Sequence, residues 1–375
     1  MIGRREFLAE MARLGVGAGM APLVARLLAG AAHADGQAAP QPARYWELAP
    51  DGGAQCTLCP REDSLHRGEF GHCKVRQNVG GRLVTHGWGQ PCVLNIDPIE
   101  KNPLAHVLPG ALMLSVAHAG CNLRCLYCQN WQFSQSPPTQ TRNIRDFDAA
   151  ASVRKGVEKK LRGLAFTYTE PAMCPEFLAE MARLARPHGL LLTMCTCGYV
   201  QPRPLREMLE FFSAVTITYK GATEAFYKKV CGGSLKPVLD SMLLAKAERK
   251  WLEVATLIVP TLNDGEADLK GMAAWLARNL GPDTPWHLER FMPEYQLAKL
   301  PPTPQATLEK ARQIGLDAGL RFVYISNLAP HEGNHSYCPG CRKAVIRRLG
   351  FKVLGNDLRD GRCPHCGMAW PGLWS

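Results

Sequence analysis

After its first 34 residues the chain has no hydrophobic run approaching the ~20 apolar residues that a membrane span requires. That excludes a helical membrane span in the remainder. Basic and aromatic residues do not alternate as they would on a stacking platform for bases, which argues against a nucleic-acid surface. There is no short-period internal repeat, so solenoids and propellers are set aside. Charged residues make up 21% and hydrophobic residues 46% of 375 positions, a balance that excludes a disordered chain and suits one large domain with appendages. The thiols also show a local absence. GCNLRCLYCQN, residues 120–130, packs Cys121, Cys125 and Cys128 into one short stretch with no fourth cysteine beside them.

The chain is rich in cysteine and in positive charge. Its 15 cysteines are an odd number for a disulfide framework, and most lie in Cys-x-x-Cys or Cys-x-x-x-Cys pairs, the spacing of metal ligands. The net charge is +11, from 44 basic and 33 acidic residues. From Cys338 onward Arg342, Lys343, Arg347, Arg348, Lys352, Arg359 and Arg362 face only Asp357 and Asp360, which reads as a solvated basic face. Residues 1–34 place Arg4-Arg5 and Phe7-Leu8 before a Gly/Ala-rich apolar stretch that ends in Ala32-His33-Ala34. The order resembles a twin-arginine signal and implies a periplasmic destination. Arg26 inside the apolar run suits the alternative, an amphipathic helix on a cytoplasmic protein.

Residues 35–44 read as a linker and 45–110 as a Cys- and Gly-rich N-terminal module. Beyond these, ALMLSVAHAG, GLAFTYTEP, LLLTMCTCGYV, AVTITYKG, WLEVATLIVP and PWHLERFMP are runs of strand length, separated by segments with helical spacing. Strands alternating with helices imply a parallel sheet covered by helices. Six such units over 111–330 suit a closed or partial (β/α)6, TIM-like barrel, an α/β fold with its chemistry at the C-terminal strand ends. Residues 331–375 form a metal-ribbon tail. There Cys338-Pro-Gly-Cys341 and Cys363-Pro-His-Cys366 are two knuckles that together make a four-thiolate site, first for zinc and otherwise for rubredoxin-like iron. His331-Glu332-Gly333-Asn334-His335, just ahead of it, reads as a capping loop.

The three-cysteine loop follows the first strand. Three thiolates hold three corners of a [4Fe–4S] cube and leave one iron open, and an open position marks a catalytic metal site. Cys121-x-x-x-Cys125-x-x-Cys128, with Tyr127 before the third Cys, resembles the signature of radical S-adenosylmethionine (SAM) enzymes. The resemblance implies that the open iron binds SAM and that reductive cleavage yields a 5′-deoxyadenosyl radical that abstracts hydrogen. Tyr127 then flanks the adenine. Thr169-Glu170-Pro171 occupies the place of the family's SAM-amine motif. Lys220 carries over from the Asp-x-Lys of glycyl-radical activating enzymes and would neutralise the SAM carboxylate, while Thr218 departs from that pattern. VATLIVPTLND is similar to the strand whose backbone meets the adenine. Cys195 and Cys197 read as extra ligands or as buried thiols.

QPCVLNIDPIEKNPLAHVLPG, CLYCQNW, FTYTEP, YKGATEAFYKKVCGG, VPTLND, PWHLERFMPEY and APHEGNHSYCPGC resemble, in order, the AmmeMemoRadiSam-system radical SAM proteins, relatives of the pyruvate formate-lyase activating enzyme. That resemblance spans residues 45–375. It implies association with Memo-type and AMMECR-type system proteins but supplies no substrate; a flavodoxin- or ferredoxin-like electron donor is expected, and a protein stands among the candidate substrates. Cys56, Cys59 and Cys73 suggest a second metal or cluster site, completed by Cys92, His66, His72 or Asp63, with free buried thiols as the alternative. Asp63 stands where family members often carry a further cysteine. The rival functional reading is an iron–sulfur electron-transfer or scaffold protein without SAM chemistry.

Overall fold

Strands buried on both faces read as near-continuous apolar runs, and such runs build the main sheet. In a computed structural model, described for residues 39–375 except Gln90 and 142–146, they form one eight-stranded sheet. In chain order its strands are β1 Val93–Pro98, β2 Leu112–Ala117, β3 Gly163–Phe166, β4 Leu191–Thr196, β5 Ala214–Thr218, β6 Trp251–Ile258, β7 Trp286–Arg290 and β8 Val323–Ser326. They lie side by side in that order, with β8 and β1 at the two edges. β2 to β8 are parallel, and β1 runs antiparallel to β2. All of this lies in one compact unit, Pro40–Ser375. The signal-like segment 1–34 lies outside the described residues.

The crossovers carry α1 Ala149–Glu158, α2 Pro175–Ala185, α3 Pro202–Leu209, α4 Lys236–Ala247, α5 Glu266–Asn279 and α6 Gln305–Asp317. Six β/α units therefore give a partial barrel whose sheet has two free edges. α1 begins at Asp148, whose carboxylate accepts from the Ala151 amide at 2.8 Å. α2, α3 and α4 carry proline in the first turn, where no amide is needed. No helix among the described residues is long and apolar enough to cross a membrane.

The N-terminal ends of the strands are plugged by residues 99–108. Ile99, Leu104 and Val107 pack against Met113, Ala165 and Ala214 inside the barrel. Thr216 Oγ1 donates to the carbonyls of Asn102 and Pro103 at 2.8 and 3.0 Å. Fully buried Glu253 on β6 accepts from the amides of Ala105 and His106, each at 2.9 Å, and from Trp251 Nε1 at 2.9 Å. It also pairs with His287 Nε2 at 2.7 Å. With that end filled, the cavity of the barrel among the described residues lies at the C-terminal strand ends.

Two small sheets precede the barrel, and their buried Arg76 ties them to it through Glu176 of α2, at 2.8 Å. A third, Ser336–Tyr337, Ala344–Leu349 and Lys352–Asn356, packs its core against Phe322, Tyr324 and Ala105. The basic tail departs here from a fully solvated face. Arg348 is buried and reaches Glu100 at 3.3 Å and the Ala105 carbonyl at 2.8 Å, so it latches the ribbon to the barrel plug. Arg347 is exposed but paired with Asp357 at 2.6 Å.

Candidate active site

The cysteine loop leaves β2 through Gly120, at φ +97°. A Cβ there would meet Val75 Cγ2 at 2.3 Å and the Cys73 carbonyl oxygen at 2.6 Å, so only glycine lets the loop lie against the N-terminal module. Backbone bonds then fix its path. Cys121 N donates to Cys73 O at 3.2 Å, Arg124 N to Cys231 O at 2.8 Å and Leu126 N to Val230 O at 3.0 Å. Asn122, fully buried, donates to the Tyr199 carbonyl at 2.6 Å.

Cys121, Cys125 and Cys128 line one cavity of about 440 Å³ at the C-terminal ends of the strands. Tyr127, Thr169, Glu170 and Lys220 line the same cavity, so all seven residues singled out for cluster and SAM binding come together. Three thiols on one loop facing a shared space suit a cluster held from one side. Their separation also differs from that of thiols around a single ion. Among the described residues, the C-terminal four are the only His, Cys, Asp or Glu group of three or more whose ligand atoms lie within 4.8 Å of one another.

The surrounding side chains differ in how far they are committed. Glu170 accepts from Thr196 Oγ1 at 2.6 Å, the Cys197 amide at 2.7 Å and the Ala172 amide at 3.0 Å. It therefore joins the ends of β3 and β4, and a carboxylate with about four acceptor positions keeps one in reserve. Thr169 Oγ1 donates to the His118 carbonyl at 2.6 Å. Lys220 is different. Its ammonium has no ion pair among the described residues. Burial would lower its pKa, but the thiols of Cys125, Cys231 and Cys197 raise it, so it stays charged. Thr218, where activating enzymes carry a carboxylate, donates to the Thr196 carbonyl at 3.2 Å.

Several residues here were not singled out from the sequence. Cys231 is fully buried behind the loop, and its hydrogen bond is the largest cause of a lowered Cys125 pKa. Tyr168 sits at φ +69°, rare for a bulky side chain. Its hydroxyl donates to Asp97, and Lys101 Nζ reaches Asp97 at 2.9 Å and the Tyr168 hydroxyl at 3.1 Å. Glu289 on β7 faces the cavity, where burial raises its pKa while His287 and Lys220 pull it down. Cys195 and Cys197, read from the sequence as extra ligands or buried thiols, also line the cavity, and burial lifts the Cys195 thiol to about 12. The local signal in each case is weak, because the grouping comes from different strands.

At the C-terminus, Cys338 and Cys366 lie 3.6 Å apart at sulfur, and Cys341 and Cys363 3.7 Å. A tetrahedral ion with metal–sulfur bonds of about 2.3 Å sets sulfurs about 3.8 Å apart. This donor set therefore fits one tetrahedral metal ion. The N-terminal thiols are arranged otherwise. Cys56, Cys59 and Cys73 are buried, but they do not form such a group, and Cys56 Sγ accepts from the Arg76 guanidinium at 3.3 Å. Of the candidate fourth ligands, Cys92 donates to the Ala117 carbonyl at 3.4 Å, Asp63 accepts from the His72 amide at 2.8 Å and His66 is exposed. In the 331–335 loop, His331 accepts from the Gly333 amide at 2.8 Å and His335 Nδ1 from Arg348 N at 3.1 Å, a capping arrangement.

Residues 116–276 match the Radical SAM superfamily. A Methanocaldococcus jannaschii protein named "Uncharacterized protein MJ0808" is 41% identical over 327 residues, 87% of this chain and 97% of that one. The isethionate sulfite-lyase activating enzyme of Nitratidesulfovibrio vulgaris is 27% identical over 161 residues, 42% of this chain and about half, 52%, of its own length. A solved domain of pyruvate-formate lyase-activating enzyme from Bacteroides vulgatus shares 19% identity over 44% of this chain and 99% of that domain, with a TM-score of 0.39. The chain belongs to the radical SAM superfamily and is an enzyme. Membership implies a [4Fe–4S] cluster and SAM.

Proposed function

We propose that this enzyme cleaves SAM reductively and abstracts hydrogen from a substrate, with Cys121, Cys125 and Cys128 as the three cluster ligands. The observation that carries the reading is the convergence of these thiols and the unpaired Lys220 ammonium on one cavity at the catalytic end of the barrel. The cluster and SAM, when bound, supply the one-electron chemistry. The chain supplies orientation and exclusion of water. Lys220 would neutralise the SAM carboxylate and the reserve acceptor position of Glu170 would meet the SAM ammonium; Thr169 holds that strand end in place, and Tyr127 would pack beside the adenine. The named activating-enzyme relatives favour a protein substrate. We assign zinc to the C-terminal thiols as a structural ion, since all four positions are filled by protein.

The test is anaerobic reconstitution followed by electron paramagnetic resonance of the reduced cluster with and without SAM. SAM bound at an open iron shifts the signal, and Lys220→Met weakens SAM binding roughly tenfold or more. A fully loaded cluster whose spectrum ignores saturating SAM would refute the assignment.

A further inference from the structure

Four charged side chains line the cavity at the C-terminal strand ends: Lys101, Glu170, Lys220 and Glu289. Three are accounted for. Lys101 is neutralised by Asp97 at 2.9 Å. Glu170 accepts from three donors of the chain, and under the reading above it and Lys220 meet the two charged ends of SAM. Glu289 is left over. No hydrogen bond or ion pair reaches its carboxylate among the described residues, from Lys220 or from any other group. Its neighbour His287 lies two positions back on β7 and so points to the same side of the sheet, into the barrel. His287 is already paired with Glu253 at 2.7 Å. Glu289 stands one step nearer the mouth, in register with Leu257 of β6 and Ser326 of β8. A carboxylate set in a buried wall without donors has an unmet demand for a cation.

The wall next to it is aromatic. Phe351 lines the same cavity and comes from the ribbon, at the turn between Ala344–Leu349 and Lys352–Asn356. The ring also borders a second, small cavity together with His287 and Ser326, which places it against the β7–β8 wall. Its turn is pinned to the end of β8. Gly350 N donates to Asn334 Oδ1 at 3.2 Å, and Asn334 Nδ2 donates to the carbonyls of Ile325 and Leu328 at 2.7 and 3.0 Å. Phe351 belongs to none of the apolar cores, so the ring is fixed at the cavity without serving as packing. A carboxylate and an aromatic face around one space suit an organic cation. The carboxylate takes its charge and N–H donors, and the ring takes the cation and its apolar stem.

We propose that Glu289 and Phe351 form the substrate subsite of this cavity and select an aliphatic cation, an ammonium or guanidinium on a hydrocarbon stem. The inference deepens the function proposed above and rests on it, because SAM must occupy Lys220 and Glu170 for Glu289 to be left to the substrate. Such a cation comes either as a free amine or as the side chain of a protein.

The experiment uses the cluster-loaded enzyme with saturating SAM and no reductant, so binding is read without turnover. Saturation-transfer NMR titrates n-butylammonium, n-butylguanidinium, n-butanol, butyrate and a capped alanine pentapeptide with lysine at its centre. The cations bind roughly tenfold or more tightly than the alcohol and the acid. Glu289→Gln lowers cation affinity roughly tenfold or more and leaves the alcohol unchanged. Phe351→Leu, on a different segment, weakens the cations about two- to tenfold. A peptide that binds at least as tightly as n-butylammonium supports the subsite with a protein side chain as its source, and a weaker peptide supports it with a free amine. Alcohol and acid bound as tightly as the cations overturn the proposal, as does Glu289→Gln with wild-type cation affinity. In Glu289→Gln the melting temperature and the SAM-induced change in the reduced cluster's resonance stay at wild-type values. Loss of either also overturns the proposal, because the carboxylate then serves the fold or SAM. A wild-type resonance that ignores SAM refutes the functional reading instead, a failure visible before any cation is added.

Discussion

Glu253→Ala removes the carboxylate that holds the barrel plug. Four donors lose their acceptor: the Ala105 and His106 amides, Trp251 Nε1 and His287 Nε2. Ala105, His106 and His287 are buried, Trp251 is partly so, and Glu253 itself has no solvent exposure. Breaking a buried charged arrangement from one side costs about 4 kcal/mol. Spread over the unfolding entropy of a chain this size, that is a Tm drop of roughly 6 °C. The pH dependence adds a second signature. Burial pushes the Glu253 pKa up, but the His287 bond and the two nearby imidazoles outweigh it and hold the pKa down at about 2, against an ordinary 4.5. A depressed folded-state value stabilises above pH 4.5, and this stability is lost as pH falls toward 2. The wild-type advantage over the variant therefore shrinks in that window. Differential scanning calorimetry at several pH values reads both effects. Asp240→Ala, which removes an exposed pair with Lys236, serves as control and shifts Tm by less than about 1 °C. A Glu253→Ala shift no larger than the control's, or a gap independent of pH, would refute the reasoning.

Other perturbations have equally definite outcomes. Cys338→Ser with Cys363→Ser removes about one bound metal per chain by elemental analysis and makes the tail protease-sensitive, since binding energy of this kind is folding energy. Gly120→Ala places a Cβ at φ +97° against Val75 and the Cys73 carbonyl, so cluster incorporation falls severalfold and stability by about 2 kcal/mol or more; full iron content would contradict this. Glu176→Ala leaves the buried Arg76 guanidinium without its carboxylate and costs about 3–5 kcal/mol, read by denaturant titration.

The parts of this protein legible in its sequence are those encoded locally. Six buried strands show as apolar runs, the proposed cluster loop as three spaced thiols, and the C-terminal four-thiol group as two knuckles. β8, Val323–Ser326, is as long as β3 yet goes unread, and β1 escapes notice because its antiparallel edge position leaves Ile96 exposed and breaks the apolar pattern. Residues 93–108, grouped by composition with the N-terminal module, supply β1 and the barrel plug. What assembles the site across strands has no local mark. Glu289, Tyr168 and Cys231 reach it from three separate segments, and Glu170 shows its bonds to Thr196 and Cys197 only once β3 and β4 are adjacent. Arg348 looks like one more basic residue in a basic tail, and only packing reveals its bond to Glu100.

The most direct measurement is SAM turnover by the reconstituted protein under dithionite, followed as 5′-deoxyadenosine and methionine, for wild type and for Cys121→Ala, Cys125→Ala and Cys128→Ala. The account predicts both products from wild type and neither from the three variants, with Cys92→Ala still active. Product from a loop variant, or none from wild type carrying a reducible [4Fe–4S] cluster, would contradict it.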